Sequence, residues 1–168
     1  MLVYAINFYK YYMKRIILLV MAVTLMACGG SKTIRDSKKV MKGNWTLNSI
    51  SYSEAGTYNV TLLNDVSKAC FEGSTWQFVP NNNTGIYSIG KYACETGDRH
   101  FIFTIDEINK QTGLYDFLLK PTNEKHKSET KQGFRLRLAS LSDTAMQWQQ
   151  TVSVDGKPFT ITMNFTKS

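Results

Sequence analysis

Histidine and cysteine are scarce in this chain of 168 residues. There are two histidines, His100 and His126, and three cysteines, Cys28, Cys70 and Cys94. The HExxH, GxSxG, phosphate-loop and GxGxxG patterns are missing too. An enzyme is therefore not expected, nor a cofactor. A metal site is not expected either, since no CxxC or His/Cys ligand spacing accompanies the cysteines. His126 lies in the polar run Asn123–Glu129 and reads as part of a solvated loop. His100, beside Asp98-Arg99 and ahead of Phe101-Ile102-Phe103, reads as structural.

A long apolar run is also lacking. A helix needs about 20 predominantly apolar residues to cross a bilayer, and the stretch from Ile16 to Ala27 is interrupted by Gly29, Gly30 and Ser31. A permanent transmembrane anchor is the weaker reading. Concentrated charge of one sign is absent as well: Lys38-Lys39, Lys125/Lys127/Lys131 and Arg135/Arg137 are scattered, so no nucleic-acid surface is expected.

What is present begins at the N-terminus. Lys10, Lys14 and Arg15 precede the apolar run Ile16–Val23, which leads into Thr24-Leu25-Met26-Ala27-Cys28. Basic, then apolar, then small is the order of a signal peptide. Leu25-Met26-Ala27-Cys28 resembles the bacterial lipobox, which implies cleavage before Cys28 and acylation of that cysteine. An ordinary secreted protein is the competing reading. Met13, followed by Lys14-Arg15, looks like a natural start, with Met1 to Tyr12 as an over-long beginning. The expected division is a signal peptide over 1–27, an acylated cysteine and tether over 28–36, and one domain over 37–168. Removing the leader takes away three basic residues and no acidic ones, so the net charge falls from +7 to +4. Gly29, not Asp, follows Cys28, and no acidic stretch comes after it. That favours the cell envelope, at the outer membrane facing the periplasm.

If lipid claims Cys28, then Cys70 and Cys94 remain as an even pair in a compartment where disulfides persist, and a bridge between them is expected.

From Trp45 onward the chain reads as short strands separated by turns, the pattern of an all-β sandwich or barrel. Eight strands are predicted, near Trp45–Tyr52, Thr75–Val79, Gly85–Gly90, Phe101–Asp106, Leu114–Lys120, Gly133–Ser140, Thr144–Val154 and Pro158–Thr166. Phe159, Ile161, Met163 and Phe165 alternate with Thr160, Thr162, Asn164 and Thr166, giving one apolar and one polar face. Met146, Trp148, Val152 and Val154 repeat the pattern, and Asp155-Gly156 is a type I′ hairpin signal. Leu62/Leu63, Val66 and Ala69/Cys70 recur at helical spacing, so one short helix is predicted within Val60–Cys70. One helical turn is expected over Lys38–Met41. Consecutive strands joined by such turns favour an up-and-down antiparallel barrel, whose closure removes exposed edges.

Gly43-Asn44-Trp45 at the opening of strand one, the eight strands and the apolar inner face resemble a lipocalin. Closer still are the short lipocalin-like lipoproteins of Bacteroidetes-type bacteria, through Cys70–Phe78, Asn82–Tyr87, Cys94 and Asp155–Ile161. The resemblance covers about Met41 to Lys167. It implies a barrel that binds or carries a small hydrophobic molecule, with Gly43 and Trp45 as the family motif. Trp76, Phe78, Phe101, Phe103, Tyr115, Phe117, Trp148 and Met163 are the candidate wall residues. Tyr87, Arg135 and Gln150 are the candidate orienting groups if they point inward. The alternative is a solid barrel that binds an envelope or secreted protein through its loops or outer face. A filled interior favours this second reading, and an apolar void of about 300 Å³ or more favours the first.

Overall fold

The alternation in the last strand becomes a wall. Phe159, Ile161, Met163 and Phe165 are all buried, while Thr160, Thr162 and Asn164 between them are partly exposed. The computed structural model describes residues 29–109, 112, 114–128 and 130–168. The expected signal peptide and Cys28 lie outside them. In chain order the elements are α1 (Gly29–Met41), β1 (Gly43–Tyr52), β2 (Thr61–Leu62), β3 (Val66–Ser67), α2 (Lys68–Phe71), β4 (Thr75–Val79), β5 (Thr84–Ile89), β6 (Gly97–Ile108), β7 (Tyr115–Thr122), β8 (Phe134–Leu141), β9 (Ala145–Val154) and β10 (Lys157–Lys167).

Eight of the strands close into an antiparallel barrel in the order β1-β10-β9-β8-β7-β6-β5-β4. All eight predicted strands are present, with ends shifted by a few residues. Each neighbour in sequence is a neighbour in space except at the seam, where β1 pairs with both β10 and β4. The Asp155-Gly156 hairpin forms with φ of 51° and 77°, the positive values that a type I′ turn requires. Register shifts at Leu47/Ser49, Ile105/Glu107 and Leu138/Ser140 bend the strands around the barrel. Val154, expected on the apolar face, is exposed, because it lies at the tip of the β9–β10 hairpin.

Both expected helices are present, a short one between the first two barrel strands and one over Lys38–Met41, but their extents differ from those expected. The stretch Gly29–Asp36, read as a tether, is helical and continuous with the turn expected at Lys38–Met41, together making α1. Its C-terminal half closes one end of the barrel. Met41 is fully buried, the Trp45 indole donates to the Met41 carbonyl at 2.8 Å, and Lys38 Nζ donates to Asn83 Oδ1 at 2.7 Å. Gly43, with φ of +120°, turns the chain from this helix into β1, which accounts physically for glycine two residues before Trp45.

Within Val60–Cys70 only Lys68 to Cys70 are helical, in the four-residue α2. Before it the chain makes the β2–β3 hairpin, with Leu63 and Asn64 at φ of 49° and 53°, values that no right-handed helix admits. This connection between β1 and β4 folds over the opposite end of the barrel, burying Leu62, Leu63, Val66 and Phe71. Its small sheet pairs with no barrel strand. We call this connection, residues 53–74, the lid.

Candidate functional site

Trp76, Phe78, Tyr87, Phe101, Phe103, Tyr115, Phe117, Trp148 and Met163 all lie in the buried core, none more than 4% exposed. They come from β4, β5, β6, β7, β9 and β10, so the alternation does bring these residues together inside one barrel. An eight-stranded barrel is just wide enough for side chains to fill it or for one small ligand. Here the middle is filled. The Trp148 ring, on β9, lies 4.8 Å from Phe117 on β7 and 5.3 Å from Phe78 on β4, centroid to centroid. Phe165 and Trp76 stand 4.8 Å and 5.5 Å from it. Strands that share no edge thus meet through a single indole. The Trp148 Nε1 donor is buried with no hydrogen-bond partner among the described residues.

The candidate orienting groups divide. Arg135 does not point inward: it is exposed on the outer face and pairs with Asp106. Its neighbours Phe134 and Leu136 take the inner face, so strand alternation forces it outward. Gln150 shares the inner parity of Trp148 and Val152, lies opposite Ile161 and is half-buried near the lid end. Tyr87 is inside, stacked on Trp76 at 4.5 Å.

At the lid end Tyr87 takes part in an arrangement that the sequence did not signal. Its hydroxyl donates to Asp65 Oδ2 at 2.9 Å, and Arg99 Nε donates to the same oxygen at 3.1 Å. Asp65 belongs to the lid. Arg99 sits directly across from Tyr87 in the β5–β6 pairing and so shares its face. Arg99 Nη2 also donates to the Glu95 carbonyl. Burial, reinforced by the Asp65 carboxylate, raises the pKa of the Tyr87 hydroxyl far above the ordinary phenol range, while Arg99 acts weakly the other way. Tyr87 is therefore a donor at any ordinary pH.

Further contacts hold the lid down. Cys70 is bridged to Cys94 as expected, with a Cα–Cα separation of 5.8 Å. Lys91 Nζ donates to the Ala69 carbonyl. Glu72 Oε1 accepts from the Ile50 amide at 2.8 Å, and Asn64 at the lid tip reaches Gln132 in the β7–β8 loop at 3.3 Å. Beside the lid opens a groove of about 860 Å³, lined by Tyr87, Arg99, His100, Lys125, Asp98 and Glu124 among others. His100 faces this groove, with its ring centroid 6.1 Å from that of the exposed His126. Its Nδ1 is buried without a partner among the described residues, as is Thr122 Oγ1 across the strand pair. His100 thus stands within the sheet with one ring nitrogen unpaired among the described residues.

No family model matches the chain, and no curated protein does. Two solved structures are similar to it. One is a lipocalin-like protein from Bacteroides uniformis, 9% identical, with a TM-score of 0.47, covering 77% of this chain and 99% of that one. The other is bovine odorant binding protein, as a deswapped triple mutant, 13% identical, with a TM-score of 0.38, covering 77% of this chain and 74% of that one.

Proposed function

We propose that this lipocalin-like barrel is a lipid-anchored, non-enzymatic protein of the cell envelope that binds a small hydrophobic molecule beneath its lid. One observation carries the reading. The roof of the barrel is a connection outside the barrel sheet, and the large side chains it buries, Leu62, Leu63, Val66 and Phe71, are apolar, while Ser74, buried where the connection enters β4, accepts from the Trp76 indole. The part before Cys70 can lift without breaking a barrel strand pair, exposing an apolar floor of Tyr87, Ile89, Phe101 and Phe159. A guest seated there would gain about 25 cal/mol for each Å² of apolar area removed from water. Chemistry on the guest is not required.

Thermal melts of the mature protein with fatty acids, sterol-like compounds and tetrapyrroles, beside native mass spectrometry of protein from its own cells, test this. A bound apolar molecule, or a ligand-dependent rise in Tm, is expected. A protein that is empty at isolation and shifted by none of them is not a carrier.

A specific observation favours a second reading, a solid barrel that presents its loops or outer face to another envelope protein. Trp148 packs against walls on both sides and leaves no room for a guest at mid-height. In either case the anchor rests on Cys28 and places the domain at the outer membrane, on the periplasmic side. Cys28→Ser should release the protein from membranes and abolish labelling with palmitate; full retention together with labelling would rule the anchor out.

A further inference from the structure

The lid tip has the chemistry of an apolar acid. Asp65 projects a carboxylate from between Leu63 and Val66, both buried with Leu62 under the lid. That carboxylate receives two donors on one oxygen, from the Tyr87 hydroxyl and the Arg99 guanidinium, at 2.9 Å and 3.1 Å. Both partners stand on the barrel wall, on neighbouring strands and in direct register. The donors belong to paired strands of the barrel and the carboxylate to the connection outside the barrel sheet.

Resting on the proposed uptake beneath the lid, we propose that Arg99 and Tyr87 form the head-group site for an apolar carboxylic acid, and that Asp65 occupies this site when no guest is bound. A long-chain acid would seat its carboxylate on the two donors and its chain where Leu62, Leu63 and Val66 now lie. Charge complementarity carries the assignment. Once Asp65 leaves, Arg99 keeps among the described residues only Glu95 as an ionic neighbour, at 3.7 Å and with Glu95 85% exposed, where water screens the pair. Tyr87 would be left a buried donor with no acceptor, which is costly. An anionic oxygen satisfies both. The groove beside the lid gives access from solvent, with Lys125 adding positive charge at its rim. Of the acidic residues there, Asp98 already accepts from the Ser88 hydroxyl, and Glu124 is exposed on the following loop. The lid thus acts as a built-in competitor, and a guest must match both its charge and its apolar flanks.

Dansyl-undecanoic acid and its methyl ester test this by fluorescence titration of the mature, disulfide-bonded protein. The acid should bind about ten- to a hundredfold more tightly than the ester, the range for charge-assisted hydrogen bonds. Arg99→Gln should bring the acid-to-ester ratio to about one. Arg99→Lys, which keeps the charge, should retain most of the preference and controls for misfolding, as do the melting curves of both variants. Asp65→Asn should raise affinity for the acid more than for the ester, because it removes the competing charge from the head-group site as well as loosening the lid. Equal binding of acid and ester to the unaltered protein overturns the head-group site while leaving uptake beneath the lid intact. Binding of neither overturns the uptake reading itself, and the head-group site with it.

Discussion

Lys167, the last residue of β10, reaches back over the first strand, its ammonium 5.2 Å from the centre of the Trp45 ring. The same Nζ donates to the Val40 carbonyl at 2.7 Å, so one side chain joins the end of the chain, the start of the barrel and the end of α1. Cation–π attraction, with a hydrogen bond at the negative end of the helix dipole, stabilises this corner. Lys167→Met should lower stability by about 1–3 kcal/mol and speed amide exchange in α1 more than in β6 or β7. Urea unfolding and hydrogen exchange check this.

Gly85 illustrates how closely the aromatic wall approaches the backbone. A Cβ added there would run into the Phe101 ring and lie 2.7 Å from the Gln77 carbonyl oxygen. Gly85 pairs with Phe101 on one side and Phe78 on the other, so neither ring can turn aside freely. Gly85→Ala should cost about 1–3 kcal/mol, in contrast to Gly90→Ala, where an added methyl meets nothing within 4 Å. Equal melting temperatures for the two variants would show that the wall gives way easily.

The barrel was legible because its signal is local: a period of two is visible within each strand, and eight such strands with short turns leave few closed arrangements. Inner aromatics such as Trp76 and Trp148 followed from the same parity. The same parity, in the alternation of buried Phe134, Leu136 and Leu138 with exposed Arg135, works against Arg135 as an inward orienting group. The short helix expected in the lid is there, but its extent was misread for a physical reason. In the β2–β3 hairpin, Leu62 and Val66 are cross-strand partners four residues apart, the separation that also stacks side chains on a helix. Spacing alone cannot tell the two apart. The pairing of Asp65 with Arg99, 34 positions away, depends on where the lid lands. No run of sequence contains it. The polar composition of Gly29–Asp36 likewise concealed a helix whose later residues Lys38 and Met41 dock on the barrel.

The bridge between Cys70 and Cys94 should matter for the lid and for the whole fold. It closes a loop with a sequence separation of 24. On the chain-entropy view this stabilises by about 3–4 kcal/mol. A Cys70→Ser/Cys94→Ser protein should unfold at correspondingly lower urea, and proteolysis of the folded protein should cut first within residues 53–74. An unchanged urea midpoint, with no cleavage of the lid, would mean that the hydrogen bonds of Asp65 and Glu72 hold the lid without it.

Alkaline pH should expose the buried tyrosines. Tyr87 is raised above its ordinary value of 10.0 by burial and then by Asp65, Tyr115 by burial against a smaller opposing effect of Ser37, and Tyr52 by burial and then Glu72. Below pH 10 these tyrosines are protonated in both the folded and the unfolded chain. Above it the unfolded chain loses protons that the folded chain keeps, so stability falls as pH rises, by about 1.4 kcal/mol per pH unit for each such tyrosine. Tyr87→Phe should make that decline shallower while costing about 1 kcal/mol at neutral pH for the lost bond to Asp65. Urea titrations from about pH 8 to about pH 11, with parallel slopes for both proteins, would refute the role of Tyr87.

Trp148 decides how much of the barrel a guest can use. Its ring touches Phe78 and Trp76 on β4, Phe117 on β7 and Phe165 on β10, so walls on three strands cannot collapse fully into the space left by Trp148→Ala. The loss should be about 3–5 kcal/mol, toward the lower end because an unpaired buried indole N–H goes with the ring. Trp148→Phe keeps much of the ring and drops the donor, so it should cost clearly less. A cavity lined by aromatic and aliphatic side chains stays dry and takes up apolar molecules. Benzene or indole should therefore raise the Tm of Trp148→Ala and leave that of the unaltered protein unchanged. A rise in both would show that the native interior already has room at mid-height and that guests are not confined to the space beneath the lid. A rise in the variant alone would place any natural guest above the Trp148 ring, between the aromatic floor and the lid.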